Sequence, residues 1–217
     1  MSTLKEIRKE LKAKGAKKED IKIALAVLAR LESLDRLVFP ENPATINFSI
    51  RKHRFGYPIG YHPNKNTEVR YSIYLDGVAG FFQEEKKKRG LWIPRSSKNQ
   101  TRFLRLTWEE LLVSIVAHEI RHRVQQDCSL KKFSPKVANL VEDELLKAII
   151  EFNELEFEER RKIYIRDNKS KTFIKDRVNR KEFDASVIER LVANMIHRKN
   201  AYSLREKIVS AIRLQVP

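Results

Sequence analysis

The spacing of apolar and polar positions divides the chain into three zones. In the first zone apolar residues recur every three or four positions, which predicts a short helix that ends at Gly15 and a longer helix from about Lys18 to Val38. From residue 44 to residue 106 apolar and polar residues alternate, as they do in half-buried strands. Helical spacing then returns and includes a predicted helix over residues 181–198. The pattern predicts an α+β fold in which a small mixed or antiparallel sheet lies between N- and C-terminal helices.

Three short strands are predicted in the middle zone, at residues 46–50, 69–75 and 103–106. Between the first two lies a segment rich in glycine, proline and aromatic residues, at positions 55–64, which predicts a loop. The basic run of residues 86–89 predicts an exposed loop. This run does not favour nucleic-acid binding, because no stacking aromatic residues are interleaved with it.

The helix predicted from Thr107 to Gln126 is apolar on almost every side over its first three turns. Thr107 and Glu110 have the spacing of a capping box, in which each side chain binds the backbone N–H of the other residue. A helix without a polar side is buried. Its polar residues therefore need partners, because an unpaired polar group in a dry interior costs several kcal/mol. We expect Arg121 and Arg123 to be solvated or paired with acidic neighbours.

Residues 118–122 of this helix have the sequence His-Glu-Ile-Arg-His. Because His118 and His122 are four positions apart, their rings lie on one side of the helix and can bind one metal ion. In this H-E-x-x-H arrangement zinc takes two histidines, a third protein ligand and a water, and Glu119 can accept a proton from that water. Ordinary hydrogen bonding of the two histidines is the alternative.

A third zinc ligand must come from elsewhere in the chain. No histidine follows His122 closely, and the next one is His197. The predicted helix over residues 181–198 offers two carboxylates, Glu182 and Asp184. They lie about 200° apart around a regular helix, so only one of them can bind the same ion.

At these positions the chain resembles gluzincin-like metallopeptidases. Its H-E-x-x-H helix is followed several dozen residues later by Glu182-x-x-Ala185 on another helix. This order is similar to that of the ImmA/IrrE-type proteases of phages and mobile elements and of the CAAX prenyl proteases. The resemblance covers residues 111–126 and 181–193. The chain differs from the prenyl proteases in having no run of eighteen apolar residues that could form a membrane helix.

The resemblance implies a zincin-like fold with Zn²⁺ held by three ligands, namely His118, His122 and Glu182. It also implies that Glu119 is the general base. It favours Glu182 over Asp184, which stays the alternative third ligand. Ser186 stands where these families often have Asp or Asn, so a hydrogen-bond partner that usually supports a metal ligand is weaker here or comes from another residue.

The composition is that of a charged, soluble, globular protein of 217 residues, with a net charge of +16 and an isoelectric point near 9.9. Such a charge predicts association with polyanions or acidic surfaces. The single cysteine, Cys128, suits a reducing compartment. Because the chain shows no signal peptide and no membrane-spanning run, a cytoplasmic location is expected. We predict a helical hairpin over residues 1–40 and a metallopeptidase domain over residues 41–217.

Three functions are consistent with these patterns. The favoured one is a soluble zinc-dependent metallopeptidase that hydrolyses protein or peptide substrates with a zinc-activated water and Glu119 as general base. The second is a basic nucleic-acid-associated protein, or a protease acting on DNA-bound proteins, in which the metal site has a structural or regulatory role. The third is a zincin fold that has lost its activity and serves as an interaction scaffold.

Two parts of a peptidase site stay open. In most zincins an edge strand holds the substrate by backbone hydrogen bonds, and by analogy the strand at residues 69–75 or 103–106 has this role. Four side chains are candidates for stabilising the oxyanion, and none of them is assigned: Tyr57, Tyr61, His62 and His197.

Overall fold

The computed structural model describes residues 4–51, 58–62, 70–94, 101–127, 172–197 and 204–213. Its helices are α1 (Leu4–Ala13), α2 (Lys18–Val38), α3 (Val78–Lys88), α4 (Trp108–Asp127), α5 (Thr172–His197) and α6 (Leu204–Arg213). Its strands are β1 (Thr45–Ser49), β2 (Ile59–His62), β3 (Arg70–Tyr74), β4 (Gly90–Pro94) and β5 (Thr101–Arg105). The fold is α+β, as predicted. Two residues named above, Tyr57 and Cys128, lie outside the described residues.

The first two helices follow the sequence prediction closely. Helix α1 ends in a Schellman motif, in which the backbone N–H of Ala16 donates to the carbonyl of Leu11 at 3.1 Å and that of Gly15 donates to Lys12 at 3.0 Å. Gly15 has a φ of 83°, a conformation that glycine adopts without steric cost. Helix α2 has the predicted bounds, Lys18–Val38.

Three strands form a small mixed sheet in the order β1-β3-β2. Strand β1 is parallel to β3, with Ile46 opposite Tyr71, and β2 is antiparallel to β3, with Ile59 opposite Ile73. Strands β4 and β5 form a separate antiparallel pair. Because β3 has a neighbour on each side, the prediction that the strand at residues 69–75 is a substrate-binding edge strand was wrong.

Parts of the middle zone that were predicted as loops have regular structure. Strand β2 lies within the predicted loop, because its pairing with β3 overrides the local preference of a short segment that contains Gly60. Helix α3 and strand β4 were not predicted either. The basic run does not form a loop, since Lys86, Lys87 and Lys88 are the last turn of α3 and Arg89 follows it. Cations at this end of a helix interact favourably with its dipole.

The start of α3 depends on a side chain that is distant in sequence. Gly77 precedes the helix with a φ of 81° and has no side chain to cap it. Instead the backbone N–H of Ala79 donates to Oδ1 of Asp20, on α2, at 2.9 Å. Asp20 is buried, and this contact gives its carboxylate a hydrogen-bond partner. The cap joins elements that are 59 residues apart.

Helix α5 begins nine residues before the predicted start at residue 181. Residues 172–180 are mostly polar and lack the apolar spacing on which the prediction depended. From Asp184 onward most of its side chains are buried, and α5 packs along α4. Helix α6 then packs on α5 and α4.

A single hydrophobic core includes residues from α1, α2, the three-stranded sheet, α3, α4, α5 and α6. Helix α4 lies within it, and its fully buried apolar residues are Leu111, Val116, Ala117 and Ile120. The N-terminal helices pack on the rest of the fold, since α2 contacts α4 directly. None of the described helices has the length and apolar character needed to cross a membrane.

A buried ionic cluster around Asp35 holds α2, β3 and α4 together. Oδ1 of Asp35 accepts a hydrogen bond from the Tyr71 hydroxyl at 3.2 Å and one from Nη1 of Arg123 at 2.9 Å. Oδ2 accepts one from the backbone N–H of Ala44 at 2.7 Å. The guanidinium carbon of Arg123 lies 3.7 Å from the centre of the Phe39 ring, which adds a cation–π contact.

Because of the Asp35 cluster, the free energy of unfolding is expected to decrease at alkaline pH. The pKa of Tyr71 is raised well above 10.0, because burial disfavours the phenolate and the nearby Asp35 carboxylate repels it, an effect that Arg123 partly offsets. In the unfolded chain the same phenol ionises near pH 10. The stability that it contributes is therefore complete below pH 10 and is lost as the pH rises from 10 towards the folded pKa.

We predict that Tyr71→Phe flattens this dependence. Between pH 10 and 11 the wild-type free energy of unfolding should fall by about 1 kcal/mol more than that of Tyr71→Phe. Urea unfolding at a series of pH values measures the difference. The control is Tyr74→Phe on the same strand, which keeps the Tyr71–Asp35 contact and should keep the steep slope. Equal slopes for wild type and Tyr71→Phe would contradict the prediction.

Candidate metal centre

The predicted capping box at the start of α4 is present. The backbone N–H of Thr107 donates to Oε2 of Glu110 at 2.5 Å, and the backbone N–H of Glu110 donates to Oγ1 of Thr107 at 3.3 Å. The other carboxylate oxygen of Glu110 lies 2.9 Å from Nδ1 of His197, at the end of α5. Because Glu110 and His118 are eight residues apart, about 12 Å along the helix, His197 is placed at the far end of α4 from the histidine pair.

His118 and His122 converge on one point. Their Nε2 atoms are 3.2 Å apart, and their ring planes meet at 83°. His118 is buried, with 8% of its surface exposed, and Glu119 next to it is buried to the same degree. The spacing of four residues on a regular helix thus brings the two rings together as the sequence predicted.

Hydrogen bonds determine which nitrogen of His122 carries its hydrogen. Oδ2 of Asp184 accepts from Nε2 of Gln125 at 2.7 Å, and the same carboxylate accepts from Nε and Nη2 of Arg121 at 2.7 and 3.1 Å. Since a carboxylate only accepts, the NH₂ group of Gln125 must face Asp184 and its oxygen must face His122. That oxygen is 2.9 Å from Nδ1 of His122. Nδ1 therefore carries the hydrogen, and Nε2 presents a lone pair towards His118.

The two Nε2 atoms fit a zinc ion. With Zn–N bonds of about 2.0–2.1 Å and tetrahedral angles, two histidine ligands have nitrogen atoms about 3.3 Å apart. The distance between His118 and His122 is 3.2 Å. The same distance also accommodates a hydrogen bond in which Nε2–H of His118 donates to His122. The residues thus fit either a metal ion or a single hydrogen between the rings.

Asp184 is not directed at this point. Its carboxylate is buried and is used by Arg121 and Gln125. Arg121 also donates to the carbonyl of Ile212 on α6 at 2.8 Å. Of the two alternatives expected for Arg121 and Arg123, pairing with acidic residues is confirmed, and both arginines are at most 1% exposed.

The third ligand predicted from the resemblance, Glu182, lies in α5, but its side chain is outside the described part of the structure. Among the side chains that are described, no group of three His, Cys, Asp or Glu residues is arranged to hold a metal ion. Glu182 thus stays a prediction.

Sequence analysis did not identify Glu189 as part of the site. Its Oε2 is 3.2 Å from Nδ1 of His118, and its Oε1 binds Nη1 of Arg89. Glu189 could have been identified from helical periodicity, because a residue seven positions after Glu182 lies on nearly the same side of the helix.

The aromatic candidates on β2 are engaged elsewhere. Nε2 of His62 is 3.1 Å from the hydroxyl of Tyr74, and the ring of Tyr61 lies 5.6 Å from that of Tyr71. Strand β2 itself packs against α4. His62 and Tyr61 thus have packing and hydrogen-bonding roles in the sheet. These contacts do not indicate that either residue stabilises an oxyanion.

No protein-family model, curated protein or solved structure matches the chain. The resemblance to gluzincin-like peptidases therefore has no support beyond the residues of the chain itself. The features that bear on function are the geometry of the histidine pair and the groups that surround it.

We predict that Arg121→Met lowers the free energy of unfolding by about 3–5 kcal/mol, because it leaves the Asp184 carboxylate buried without its charge partner. The double variant Arg121→Met/Asp184→Leu should recover most of this loss. Arg30→Met is the control, since it breaks only the exposed pair with Glu109, worth about 1 kcal/mol or less. Urea unfolding measures all three. The prediction fails if Arg121→Met costs no more than Arg30→Met.

Proposed function

We propose that this protein is a zinc-dependent metallopeptidase. The observation that carries the proposal is the 3.2 Å separation of Nε2 of His118 and Nε2 of His122, together with the hydrogen bonds that leave the lone pair of His122 facing His118. Two lone pairs pointed at one position in a buried site repel each other unless a cation or a hydrogen lies between them. Glu119, next to the first histidine, supplies the base that hydrolysis requires.

The residues of the chain divide the reaction between them. Zinc held by His118, His122 and a third ligand would polarise the substrate carbonyl and lower the pKa of a bound water towards neutrality. Glu119 accepts a proton from the attacking water as the water oxygen bonds to the carbonyl carbon. It then gives the proton to the amide nitrogen as the C–N bond breaks, which leaves a carboxylate and an amine. Burial of Glu119 shields this transfer from bulk water.

Glu182 is the proposed third ligand. Helix α5, which carries Glu182, packs along α4, the helix that carries the histidine pair. Asp184 is less suited to the role, because Arg121 and Gln125 use its carboxylate. Glu189 faces Nδ1 of His118 and therefore lies behind the ring with respect to Nε2.

Strand β2 is the proposed substrate-binding strand. Among the described strands, all except β3 have a neighbour on one side only. Of these edge strands, β2 packs most closely against α4, the helix that carries the histidines. An extended peptide could add to its open edge by backbone hydrogen bonds.

The purified protein should contain about one zinc ion per chain, measured by plasma emission spectrometry. His118→Ala and His122→Ala should lose it, and Glu182→Gln should weaken binding. His197→Gln is the control and should keep zinc, since His197 binds Glu110 at the far end of α4. Wild-type protein that neither contains nor binds added zinc would end the metal proposal.

Glu119→Gln should keep the metal and lose cleavage of a peptide library, because the amide cannot accept the proton. Mass spectrometry of new peptide termini measures the cleavage, and Glu109→Gln, an exposed change on the same helix, serves as the control. Zinc binding by wild type without any cleavage would favour a scaffold that has lost its activity.

The net charge of +16 favours a second candidate, a nucleic-acid-associated protein in which the metal site serves structure or regulation. In that case affinity for duplex DNA should fall steeply between about 50 and 200 mM salt. Fluorescence anisotropy measures it, and Glu119→Gln should bind DNA as wild type does. Peptide cleavage that depends on Glu119, without DNA binding at physiological salt, would exclude this candidate.

A further inference from the structure

We propose that Glu189, anchored by Arg89, is a positioning residue that keeps a hydrogen on Nδ1 of His118 and so leaves Nε2 free to bind the metal. The inference rests on the metal site proposed above and deepens it. Two residues of α5 would then determine where the histidines carry their hydrogens. Glu189 acts on His118 directly, and Asp184 acts on His122 through Gln125.

The placement of Glu189 carries the first step. Its side chain is 11% exposed, and its Oε2 lies 3.2 Å from Nδ1 of His118, which is itself buried. The two atoms are at ion-pair distance without the alignment of a good hydrogen bond. Rotation of the imidazole about χ2, a soft torsion, brings the ring N–H into line.

Arg89 fixes the orientation of the carboxylate. Its Nη1 binds Oε1 of Glu189, and its Nε binds Oε2 of Glu85. The backbone of Arg89 is also held, because its N–H donates to the carbonyl of Glu85 at 2.7 Å. Glu189 is therefore held by Arg89 at one oxygen and presents the other oxygen to His118.

A carboxylate oxygen accepts hydrogen bonds and does not donate them, so it favours the tautomer of His118 with the hydrogen on Nδ1. When a metal ion is bound, the lone pair is then on Nε2, directed at the position between the two rings. The opposite tautomer would place a hydrogen on Nε2 and satisfy the two histidines with one hydrogen bond. Glu189 thus selects between a metal site and an ordinary histidine pair.

Metal-ligating histidines generally donate their other N–H to a carboxylate, a carbonyl or a water. Glu189 is placed to be that carboxylate for His118.

The test is Glu189→Gln. Arg89 donates to the single amide oxygen, so the NH₂ group of the glutamine faces Nδ1 of His118 and reverses its tautomer. In metal-free protein, long-range ¹H–¹⁵N NMR should show a hydrogen on Nδ1 of His118 in wild type, whether or not a second hydrogen lies on Nε2 between the two rings, and no hydrogen on Nδ1 in Glu189→Gln. Zinc affinity, measured by competition with a chelator, should fall by about 10–100-fold.

A double variant separates positioning from a general structural role. In Arg89→Met/Glu189→Gln the amide is free to turn its oxygen towards His118, so the wild-type tautomer and much of the zinc affinity should return. Glu109→Gln is the control, because Glu109 is exposed on α4 and binds only Arg30 among the contacts described for it. It should change neither measurement.

An unchanged His118 tautomer in Glu189→Gln, or a zinc dissociation constant within twofold of wild type, overturns the proposal. If wild-type protein binds no zinc, the proposed function fails, and the tautomer in metal-free protein still decides the role of Glu189. If Glu189→Gln does not fold, Glu189→Asp replaces it. The shorter acid keeps its charge but cannot reach both partners, so it should weaken zinc binding, and unaltered binding counts against the proposal.

Discussion

Burial of α4 is the constraint on which the rest of the structure depends. The helix is surrounded by α2, α5, α6 and β2, and its buried polar residues include two arginines, one histidine, a glutamine and two glutamates. Each of these groups costs several kcal/mol if it is buried without a partner. The elements that pack around α4 must therefore lie where their own polar groups can form hydrogen bonds or ion pairs with its side chains.

The partners come from both ends of the chain. Asp35 on α2 binds Arg123, and Asp184 on α5 binds Arg121. The carbonyl of Ile212 on α6 takes a further hydrogen bond from Arg121. Two arginines of one helix, Arg121 and Arg123, thus bind the N-terminal and C-terminal helices on either side of it. His122 lies between these two arginines along the helix.

Local sequence patterns predicted the features that depend on neighbouring residues. The bounds of α2, the glycine that ends α1 and the Thr107–Glu110 capping box all involve groups within a few positions of one another. The convergence of His118 and His122 follows from helical geometry in the same way. These features were predictable because the helix itself brings the atoms together.

Features that depend on distant pairing were not predictable. Strand β2 forms because it pairs with β3. Arg123 binds Asp35, 88 positions away, and Glu189 binds Arg89, 100 positions away. A single sequence contains no periodicity that reports such contacts. For the two arginines the sequence therefore left solvation and acidic pairing as alternatives, although the helix that carries them was correctly predicted to be buried.

The cap that Asp20 provides for α3 links the folding of two segments. Helix α3 has eleven residues and no N-terminal cap of its own, so it is marginal in isolation. Its first turn is completed only when α2 has formed and delivered the Asp20 carboxylate to Ala79. Opening of α2 would remove that acceptor and release α3 with it. The two helices are thus expected to exchange their amide hydrogens as one cooperative unit, although the mixed sheet separates them along the chain.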